Sequence, residues 1–225
     1  MDIRLIVSDI AGTTVSDRDF VADAFIATFE KHGIAIDREV VRPLMGIRKS
    51  EAIATVLRSR SISFDEAVVA RIHDDFVDSM VLFYADSPDI QPLPDVEEFL
   101  SDCRHRGVIV ALNTGFPRRI ADVILDRMGW LDNGWVTDSI ASDEVSEGRP
   151  SPEMIHTLMA RQGILDPSTV MKVGDTVVDI QEGRHADCGM VVGVTTGSCS
   201  REELLAQKPD HVIDRFAEIN GILWG

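Results

Sequence analysis

The stretch IRLIVSDIAGTT, at residues 3–14, decides the expected fold of this chain. Its first half is apolar and rich in β-branched residues, which is typical of a strand buried on both faces of a parallel sheet. Asp9 and a run of small residues follow, so the strand is expected to end there. Ligands bind beyond the carboxyl ends of the strands in open parallel sheets, and Asp9 is therefore the first candidate site residue.

Similar short apolar runs recur along the rest of the chain, at residues 108–114, 135–142, 169–175 and 190–197. The segments with a helical pattern between them cover residues 96–107, 117–129, 151–163 and 176–189. Gly or Pro lies near several of their expected ends. Strands that alternate with helices predict an α/β fold, with helices on both faces of a Rossmann-like parallel sheet.

Residues 16–90 break this alternation with helical patterns alone. The helices expected in this segment cover residues 20–33, 48–60 and 65–87. A turn-rich stretch, SPDIQPLPD, then returns the chain to the sheet. We therefore predict that residues 16–90 form a helical cap domain, inserted into a Rossmann-like hydrolase core made of residues 1–15 and 91–225.

The composition excludes several classes of protein. The chain has 225 residues, of which 38 are acidic and 22 basic, and its formal net charge of −16 argues against general affinity for nucleic acid or an anionic membrane. No run approaches the roughly 20 apolar residues of a membrane span, and the N-terminus lacks a signal-peptide pattern, so a cytoplasmic location is expected. The three cysteines show no CxxC spacing and predict neither a disulfide framework nor a zinc site.

Four ordered segments near expected strand ends resemble the haloacid dehalogenase superfamily. They are DIAGTT (9–14), NTG (113–115), GRPSP (148–152) and VGDTVVD (173–179). Each is weak alone, but four in this order are specific. The resemblance implies a hydrolase in which an aspartate attacks phosphorus, forms an aspartyl-phosphate and works with bound Mg²⁺.

The same resemblance assigns metal ligands. Asp9 is expected to be both the nucleophile and a Mg²⁺ ligand, together with the backbone carbonyl of Ala11 and the carboxylate of Asp175. Asp179, one helical turn beyond Asp175, is expected to bind the ion directly or to orient a water on it. Carboxylate and carbonyl oxygens are the ligands that Mg²⁺ prefers.

Other residues are expected to bind the phosphoryl group. Thr114 and the backbone of Gly115 would hold its oxygens, and Arg149 stands where many family members have a lysine. A guanidinium can bind phosphate with two hydrogen bonds, so the charge role survives the exchange. Each residue also has a simpler alternative: Thr114 could cap a helix, Arg149 could be a surface charge, and Asp179 could support the dipole of its helix.

The alanine at position 11 distinguishes between branches of this superfamily. Superfamily members that cleave phosphate esters typically carry an acid two residues after the nucleophile, and general acids of this kind contribute about 10²–10⁴-fold. The patterns D.AGTTV and MG..K resemble the phosphonoacetaldehyde hydrolase (phosphonatase) family instead. That resemblance implies that Lys49 forms a Schiff base with a small phosphonate, whose carbon–phosphorus bond then breaks. It places further residues at the substrate, namely Gly12, Thr13, Met45, Gly46, Gly115 and Phe116.

The residues and the helix start around Lys49 affect the protonation of its amine. A lysine near the start of a helix meets the positive end of the dipole, which with neighbouring Arg48 disfavours the protonated amine, whereas Glu51 acts in the opposite direction. The alternative is a solvated lysine on a helix surface. Phosphonatases commonly have a His three residues beyond this lysine, a Tyr directly after the TG and often a Cys ten residues beyond the nucleophile. This chain has Ala52, Phe116 and Asp19 there, so a phosphonatase-like hydrolase is the expected function.

Two other functions stay open from the sequence. One is a Mg²⁺-dependent phosphomonoesterase of the same superfamily, in which Lys49 only binds the substrate. The other is a non-catalytic phosphate-binding module, against which the complete set of Asp9, Asp175 and Asp179 argues. The expected partner in each case is a small phosphonate or phosphate, and the resemblance implies a homodimer formed through the cap.

Overall fold

The computed structural model describes residues 2–225 and contains a six-stranded parallel sheet. Its strands are β1 Leu5–Ser8, β2 Ile109–Thr114, β3 Asp138–Ala141, β4 Val170–Gly174, β5 Met190–Val194 and β6 His211–Ile213. Their order across the sheet is β3-β2-β1-β4-β5-β6. The predicted α/β fold is confirmed.

From β2 onward the helices follow the expected alternation with strands, whereas several helices lie in succession between β1 and β2. They are α1 Phe20–Lys31, α2 Arg38–Val41, α3 Lys49–Ser59, α4 Glu66–Asp86, α5 Val96–Arg106, α6 Arg118–Met128, α7 Glu153–Arg161, α8 Val177–His185, α9 Arg201–Ala206 and α10 Glu218–Trp224. The first five lie between β1 and β2, and the first four of these belong to residues 16–90, where Phe25 packs on Phe29 and Phe76 in a buried aromatic group. The sequence did not predict α2, α9, α10 or β6.

Two apolar clusters explain why β1 is an unbroken apolar run. Ile6 belongs to a cluster that includes Phe99 of α5 and Ile120 of α6. Leu5 and Val7 belong to the other cluster, with residues of α7 and α8. Because neighbouring side chains of a strand point to opposite faces, helices on both faces need apolar residues at consecutive positions.

The register of the sheet gathers the predicted site residues at one edge. Ser8, the last residue of β1, lies opposite Leu112 of β2 and Val173 of β4. The next residues of all three strands, which include Asp9, therefore emerge together at the carboxyl edge.

The two connections between the sheet and residues 16–90 run side by side. The backbone N–H of Ser16 donates to the Gln91 carbonyl oxygen over 2.9 Å. The Ser16 hydroxyl donates to the Asp89 carbonyl oxygen over 2.7 Å. The chain therefore leaves the core and returns to it through two adjacent, hydrogen-bonded segments, and Arg127 of α6 also donates to carbonyl oxygens at the end of α4. Whether it forms a separate domain stays a prediction.

None of the helices in residues 2–225 is both long and apolar enough to cross a membrane.

Candidate active site

A small cavity lies at the carboxyl edge of the sheet, beneath the loop that precedes α3. Six predicted site residues line it from the sheet side: Asp9, Ala11, Thr114, Gly115, Phe116 and Asp175. Three more line it from the inserted segment, Met45, Gly46 and Lys49. Its volume is about 30 Å³. The fold thus brings together the two parts of the chain that the sequence resemblance connects.

Two of the predicted substrate-binding residues, Gly12 and Thr13, lie behind the wall of this cavity. The Thr13 hydroxyl donates to Asp175 Oδ1 over 2.9 Å. Gly12 has a φ of +86°, and a Cβ at this position would lie 2.9 Å from Asp175 Oδ2. Glycine therefore permits both the left-handed backbone and the close approach to the carboxylate. Thr13 holds Asp175 in place and Gly12 leaves room for its carboxylate, while direct contact with a substrate stays a prediction for both.

Arg149 is buried behind Asp9, with 1% of its surface exposed. Its NH1 donates to Asp9 Oδ1 over 2.7 Å, its NH2 to the Asn113 carbonyl oxygen over 2.8 Å, and its Nε to Glu182 Oε2 over 3.0 Å. This burial excludes the surface-charge alternative. Burial alone lowers the pKa of Arg149, but the carboxylates of Asp179, Glu182 and Asp9 raise it overall, so the cation is stable there. Direct binding of phosphate by Arg149 stays a prediction.

Lys172 and Glu182 complete a buried charge network that sequence reasoning missed. Lys172 Nζ lies 2.6 Å from Asn113 Oδ1, 2.9 Å from Asp179 Oδ1 and 3.1 Å from Glu182 Oε2. Asn113 Nδ2 donates to Glu182 Oε1 over 2.8 Å. Neither Lys172 nor Glu182 is exposed to solvent. A signal was present, since a lysine inside an apolar strand needs a buried anion, and Glu182 lies three residues beyond Asp179 on α8.

We expect Glu182→Gln to lower the free energy of unfolding by roughly 1–3 kcal/mol, because the carboxylate oxygens of Glu182 accept hydrogen bonds from buried donors that an amide would leave partly unpaired. The new amide N–H groups would also point at donors of Lys172, Arg149 or Asn113. Urea unfolding followed by circular dichroism measures the change.

Asp78→Asn is the control for that prediction, because Asp78 and Arg119 form a pair 2.6 Å apart in which both side chains are 60% exposed. An exposed pair is expected to contribute at most about 1 kcal/mol. Equal stability losses in the two variants would show that the buried network does not stabilise the fold.

Asp9 and Asp175 supply carboxylates that suit a divalent cation. Asp175 Oδ2 accepts a hydrogen bond from the Ser198 N–H over 2.7 Å. Burial, and then the negative charges of Asp9 and Asp179, raise the pKa of Asp175 well above its usual range. A bound cation would offset this repulsion. Two carboxylates and the Ala11 carbonyl are oxygen donors that fit Mg²⁺, which keeps several waters.

Both carboxylate oxygens of Asp179 contact other protein groups. One carboxylate oxygen accepts hydrogen bonds from the Thr176 backbone N–H, over 3.2 Å, and from the Thr176 hydroxyl. The other oxygen lies 3.0 Å from Arg149 NH1 and 2.9 Å from Lys172 Nζ. Within residues 2–225 no three His, Cys, Asp or Glu side chains are grouped so as to hold a metal ion by themselves. A main-chain donor such as the Ala11 carbonyl is therefore needed beside Asp9 and Asp175.

Lys49 is the first residue of α3 and only 2% exposed, which excludes a solvated surface lysine. Its Nζ lies 5.5 Å from the centroid of the Phe116 ring and 3.4 Å from the Ile47 carbonyl oxygen. Burial lowers the pKa of Lys49 to about 8, although the charges of Asp17 and Asp9 act to raise it. The neutral, nucleophilic amine is therefore far more populated near neutral pH than in an ordinary lysine.

The loop before α3 packs directly on the loops at the strand ends. A Cβ on Gly115 would lie 2.4 Å from the Gly46 carbonyl oxygen and 2.8 Å from that of Ile47. The guanidinium of Arg48 fixes the same loop by donating to backbone carbonyls of Ser142, Val145 and Ser146. Arg48 thus fastens the closed loop, in addition to any influence on the charge of Lys49.

Asp17 and Val21 also line the cavity, although the sequence did not single them out. Asp17 is 6% exposed, and its Oδ1 accepts the Val21 backbone N–H over 3.0 Å. Burial raises the pKa of Asp17 to about 6, whereas the hydrogen bond from Val21 acts to lower it. An aspartate shortly before a helix normally suggests an N-terminal cap, which hides its position in the cavity.

Comparison with known proteins agrees with this arrangement. A family model described as haloacid dehalogenase-like hydrolase matches residues 3–187. The phosphonoacetaldehyde hydrolase of Bacteroides fragilis is 32% identical over 235 residues, which cover 96% of this chain and 87% of that protein.

Two solved structures share the fold. The phosphonoacetaldehyde hydrolase-like protein from Oleispira antarctica has a TM-score of 0.87 at 22% identity, covering 99% of this chain and 91% of its own. A predicted phosphoglycolate phosphatase from Haemophilus somnus 129PT has a TM-score of 0.80 at 22% identity, covering 99% and 98%. Since the family model spans most of the chain and the Bacteroides relative nearly all of it, this protein belongs to the haloacid dehalogenase-like hydrolase family.

Proposed function

We propose that this hydrolase cleaves the carbon–phosphorus bond of a small phosphonate such as phosphonoacetaldehyde. The observation that carries the proposal is a buried amine beside a buried carboxylate, since Lys49 and Asp9 line the same cavity. The similarity to the phosphonoacetaldehyde hydrolase of Bacteroides fragilis supports this substrate class.

Asp9 is the proposed nucleophile. Arg149 binds Oδ1, which fixes the carboxylate and leaves Oδ2 for the attack on phosphorus. Burial raises the pKa of Asp9 to about 6 and Arg149 acts against this rise, so the carboxylate predominates above neutral pH. An oxygen–phosphorus bond forms as the carbon–phosphorus bond breaks. Water then attacks the phosphorus of the aspartyl-phosphate, which releases phosphate and restores the carboxylate.

Lys49 accepts the electron pair of the broken bond. Its neutral amine condenses with the carbonyl group of the substrate, water leaves, and a protonated imine remains. When the carbon–phosphorus bond breaks, its electron pair becomes a carbon–carbon double bond and the imine nitrogen becomes neutral. The carbon fragment is then an enamine on Lys49, which needs no proton at the moment of cleavage. This agrees with Ala11, whose side chain offers no acid to the cavity.

The remaining predicted residues have roles in binding. Mg²⁺ held by Asp9, Asp175 and the Ala11 carbonyl would neutralise charge on the phosphoryl oxygens. Thr114 Oγ1 accepts the Phe116 backbone N–H over 3.1 Å, which leaves the hydroxyl hydrogen to donate to the substrate. The apolar side chains of Met45 and Phe116, and the backbone of Gly46 and Gly115, would enclose the carbon fragment. Asp179 would position Arg149 and Lys172 behind the nucleophile.

Residues 16–90 would act as a mobile cap in this mechanism. They contribute Lys49 and Gly46 to the cavity, whose volume of about 30 Å³ is too small for a phosphonate until the loop withdraws. The paired connections at Ser16 and Gln91 form the natural pivot of that motion. Closure would exclude water from the imine and complete the set of catalytic groups.

A phosphomonoesterase is the second candidate, because the predicted phosphoglycolate phosphatase from Haemophilus somnus shares the fold. Lys49 would then bind its substrate as a cation. The alanine at position 11 and the lowered pKa of Lys49 favour the phosphonatase. A non-catalytic phosphate-binding module, the third alternative, has no observation in its favour.

Phosphate release from a substrate panel tests the proposal. With Mg²⁺ present, kcat/KM for phosphonoacetaldehyde is expected to exceed that for phosphate esters such as phosphoglycolate by about 10²-fold or more, since ester cleavage lacks its usual acid. Borohydride should inactivate the protein only when the aldehyde is present. Peptide mass analysis should find the adduct on Lys49 and not on the other three lysines of the chain, which are Lys31, Lys172 and Lys208. Faster release from an ester, without an adduct, would favour the phosphomonoesterase.

A further inference from the structure

Asp17 is a buried acid in the cavity that the proposed function leaves without a role. Four of the described cavity-lining residues carry titratable groups: Asp9, Asp17, Lys49 and Asp175. Asp9 attacks, Asp175 serves the metal and Lys49 binds the carbonyl carbon. Condensation of an amine with a carbonyl also needs proton transfers, and no group has yet been assigned to them.

The local backbone turns Asp17 inward. Arg18 and Asp19 both have a positive φ, of 43° and 66°, and their side chains are 73% and 68% exposed. This left-handed conformation is uncommon outside glycine and is costly when the structure imposes it. Its result is that Asp17 alone of the three is buried.

The bonding of Asp17 leaves part of its carboxyl group free. Its Oδ1 accepts the Val21 N–H, and among residues 2–225 no cation forms an ion pair with it. A buried carboxyl group with so few partners is unfavourable for the fold. Lys49 lines the same cavity and makes no ion pair with Asp17, so a carbonyl group bonded to Lys49 would share the cavity with the Asp17 carboxyl group.

We propose that the carboxyl group of Asp17 is the acid and base for the condensation of Lys49 with the substrate carbonyl. This role rests on the proposed function and adds a residue to it. Asp17 lies in the loop before α1 and lines the same cavity as Lys49, and the hydrogen bond from the Val21 N–H fixes its orientation.

The proton transfers balance as follows. The neutral Lys49 amine attacks the carbonyl carbon, and protonated Asp17 gives its proton to the carbonyl oxygen. The Asp17 carboxylate then removes a proton from the new ammonium nitrogen, which yields a neutral carbinolamine. Asp17 returns that proton to the hydroxyl group, which leaves as water while the nitrogen lone pair forms the protonated imine. Asp17 has then given up one proton. After the carbon–phosphorus bond breaks, the enamine on Lys49 takes up, at its terminal carbon, the proton that water releases when it hydrolyses the aspartyl-phosphate. Hydrolysis of the resulting protonated imine frees the Lys49 amine and the aldehyde, and returns one proton to Asp17.

Burial, modified by nearby charges, brings the pKa values of both groups towards neutral pH. Burial raises the pKa of Asp17 to about 6, with Asp19 and Asp23 adding to the rise and the Val21 N–H and Lys49 opposing it. Burial lowers the pKa of Lys49 to about 8, with Asp17 and Asp9 opposing the fall and Arg149 adding to it. Reaction needs Asp17 protonated and Lys49 neutral. That combination is most populated between these two values and declines on either side, so kcat/KM should follow a bell-shaped pH profile.

Asp17→Asn tests the role, because asparagine keeps an oxygen for the Val21 N–H but cannot give or take the proton. We expect kcat/KM for phosphonoacetaldehyde to fall by about 10²–10⁴-fold. The decline of kcat/KM above about pH 8 should also disappear, because kcat/KM would then depend only on the fraction of Lys49 that is neutral. Asp78→Asn is the matched control: it removes an equal charge from α4, where the side chain is 60% exposed and does not contribute to the pKa of Asp17, and it should change neither quantity.

Borohydride trapping separates this role from the proposed function. Long incubation of Asp17→Asn with phosphonoacetaldehyde should still place an adduct on Lys49, because the imine forms slowly without an acid. Slow trapping, together with a kcat/KM that no longer falls at alkaline pH, supports Asp17 as the acid and base. An Asp17→Asn protein that keeps the kcat/KM and pH profile of the parent overturns the inference and leaves the proposed function intact. A parent protein that forms no adduct overturns both.

Discussion

Lys49→Arg should reduce phosphate release from phosphonoacetaldehyde to the rate measured without enzyme. Arginine keeps a positive charge near the Phe116 ring, which lies 5.5 Å from Lys49 Nζ. A guanidinium stays protonated and cannot condense with an aldehyde, so the electron pair of the breaking bond has no acceptor. The same variant should give no borohydride adduct. Steady-state kinetics with Mg²⁺ and peptide mass analysis measure the two effects.

Lys31→Arg is the matched control, because Lys31 is 65% exposed and pairs with Asp75 outside the cavity. It should behave like the parent protein in both measurements. Thermal unfolding of Lys49→Arg establishes that the larger side chain is accommodated at a buried position. If a folded Lys49→Arg protein still releases phosphate at the parent rate, and the parent forms no adduct, the imine mechanism is wrong and Lys49 only binds the substrate.

Asp9→Asn should lower turnover of every phosphorus substrate by about 10⁴-fold or more, since a covalent nucleophile works as a unit with the rest of its site. The fold should survive, because asparagine has the same shape and its oxygen can accept the hydrogen bond from Arg149 NH1. Arg149 also keeps its ion pairs with Asp179 and Glu182. Phosphate release from phosphonates and from esters, assayed side by side, measures the loss.

Asp122→Asn controls for the change of charge, since Asp122 lies on α6 with a side chain that is 56% exposed. It should retain full activity. Asp9→Asn should abolish turnover of esters and phosphonates alike, whereas Lys49→Arg should abolish only the reaction that passes through an imine. Substantial turnover by a folded Asp9→Asn protein would remove the aspartyl-phosphate from the mechanism.

The central part of the fold could be predicted because burial on both faces leaves a strong mark on the sequence. Leu5, Ile6 and Val7 are fully buried, and two different clusters of helices cover them. The last strand of the sheet has a weaker sequence pattern. The strand β6 has three residues and begins with the exposed His211, which is too short for any period to be recognised.

The strand-end residues of the site could also be predicted, because parallel strands deliver their carboxyl ends to one edge. Asp9, Thr114 and Asp175 line one cavity as a result. Lys172 and Asp17 could not be found in this way. Whether a lysine within a strand meets an anion, or an aspartate before a helix faces a cavity, depends on neighbours that are distant in sequence. The cause of the lowered pKa of Lys49 shows the same limit, since burial dominates it rather than a charge next to it in the chain.

The close approach of the Gly46 and Ile47 carbonyl oxygens to Gly115 also decides how a bound ligand can be observed. A volume of about 30 Å³ accepts about two water molecules, which is less than a phosphonate needs. Crystals grown in this arrangement would resist soaking, because lattice contacts oppose withdrawal of the loop. Ligand mixed with the protein before crystallisation can instead enter while the loop is free. An empty map after soaking would therefore report on confinement by the crystal and not on affinity.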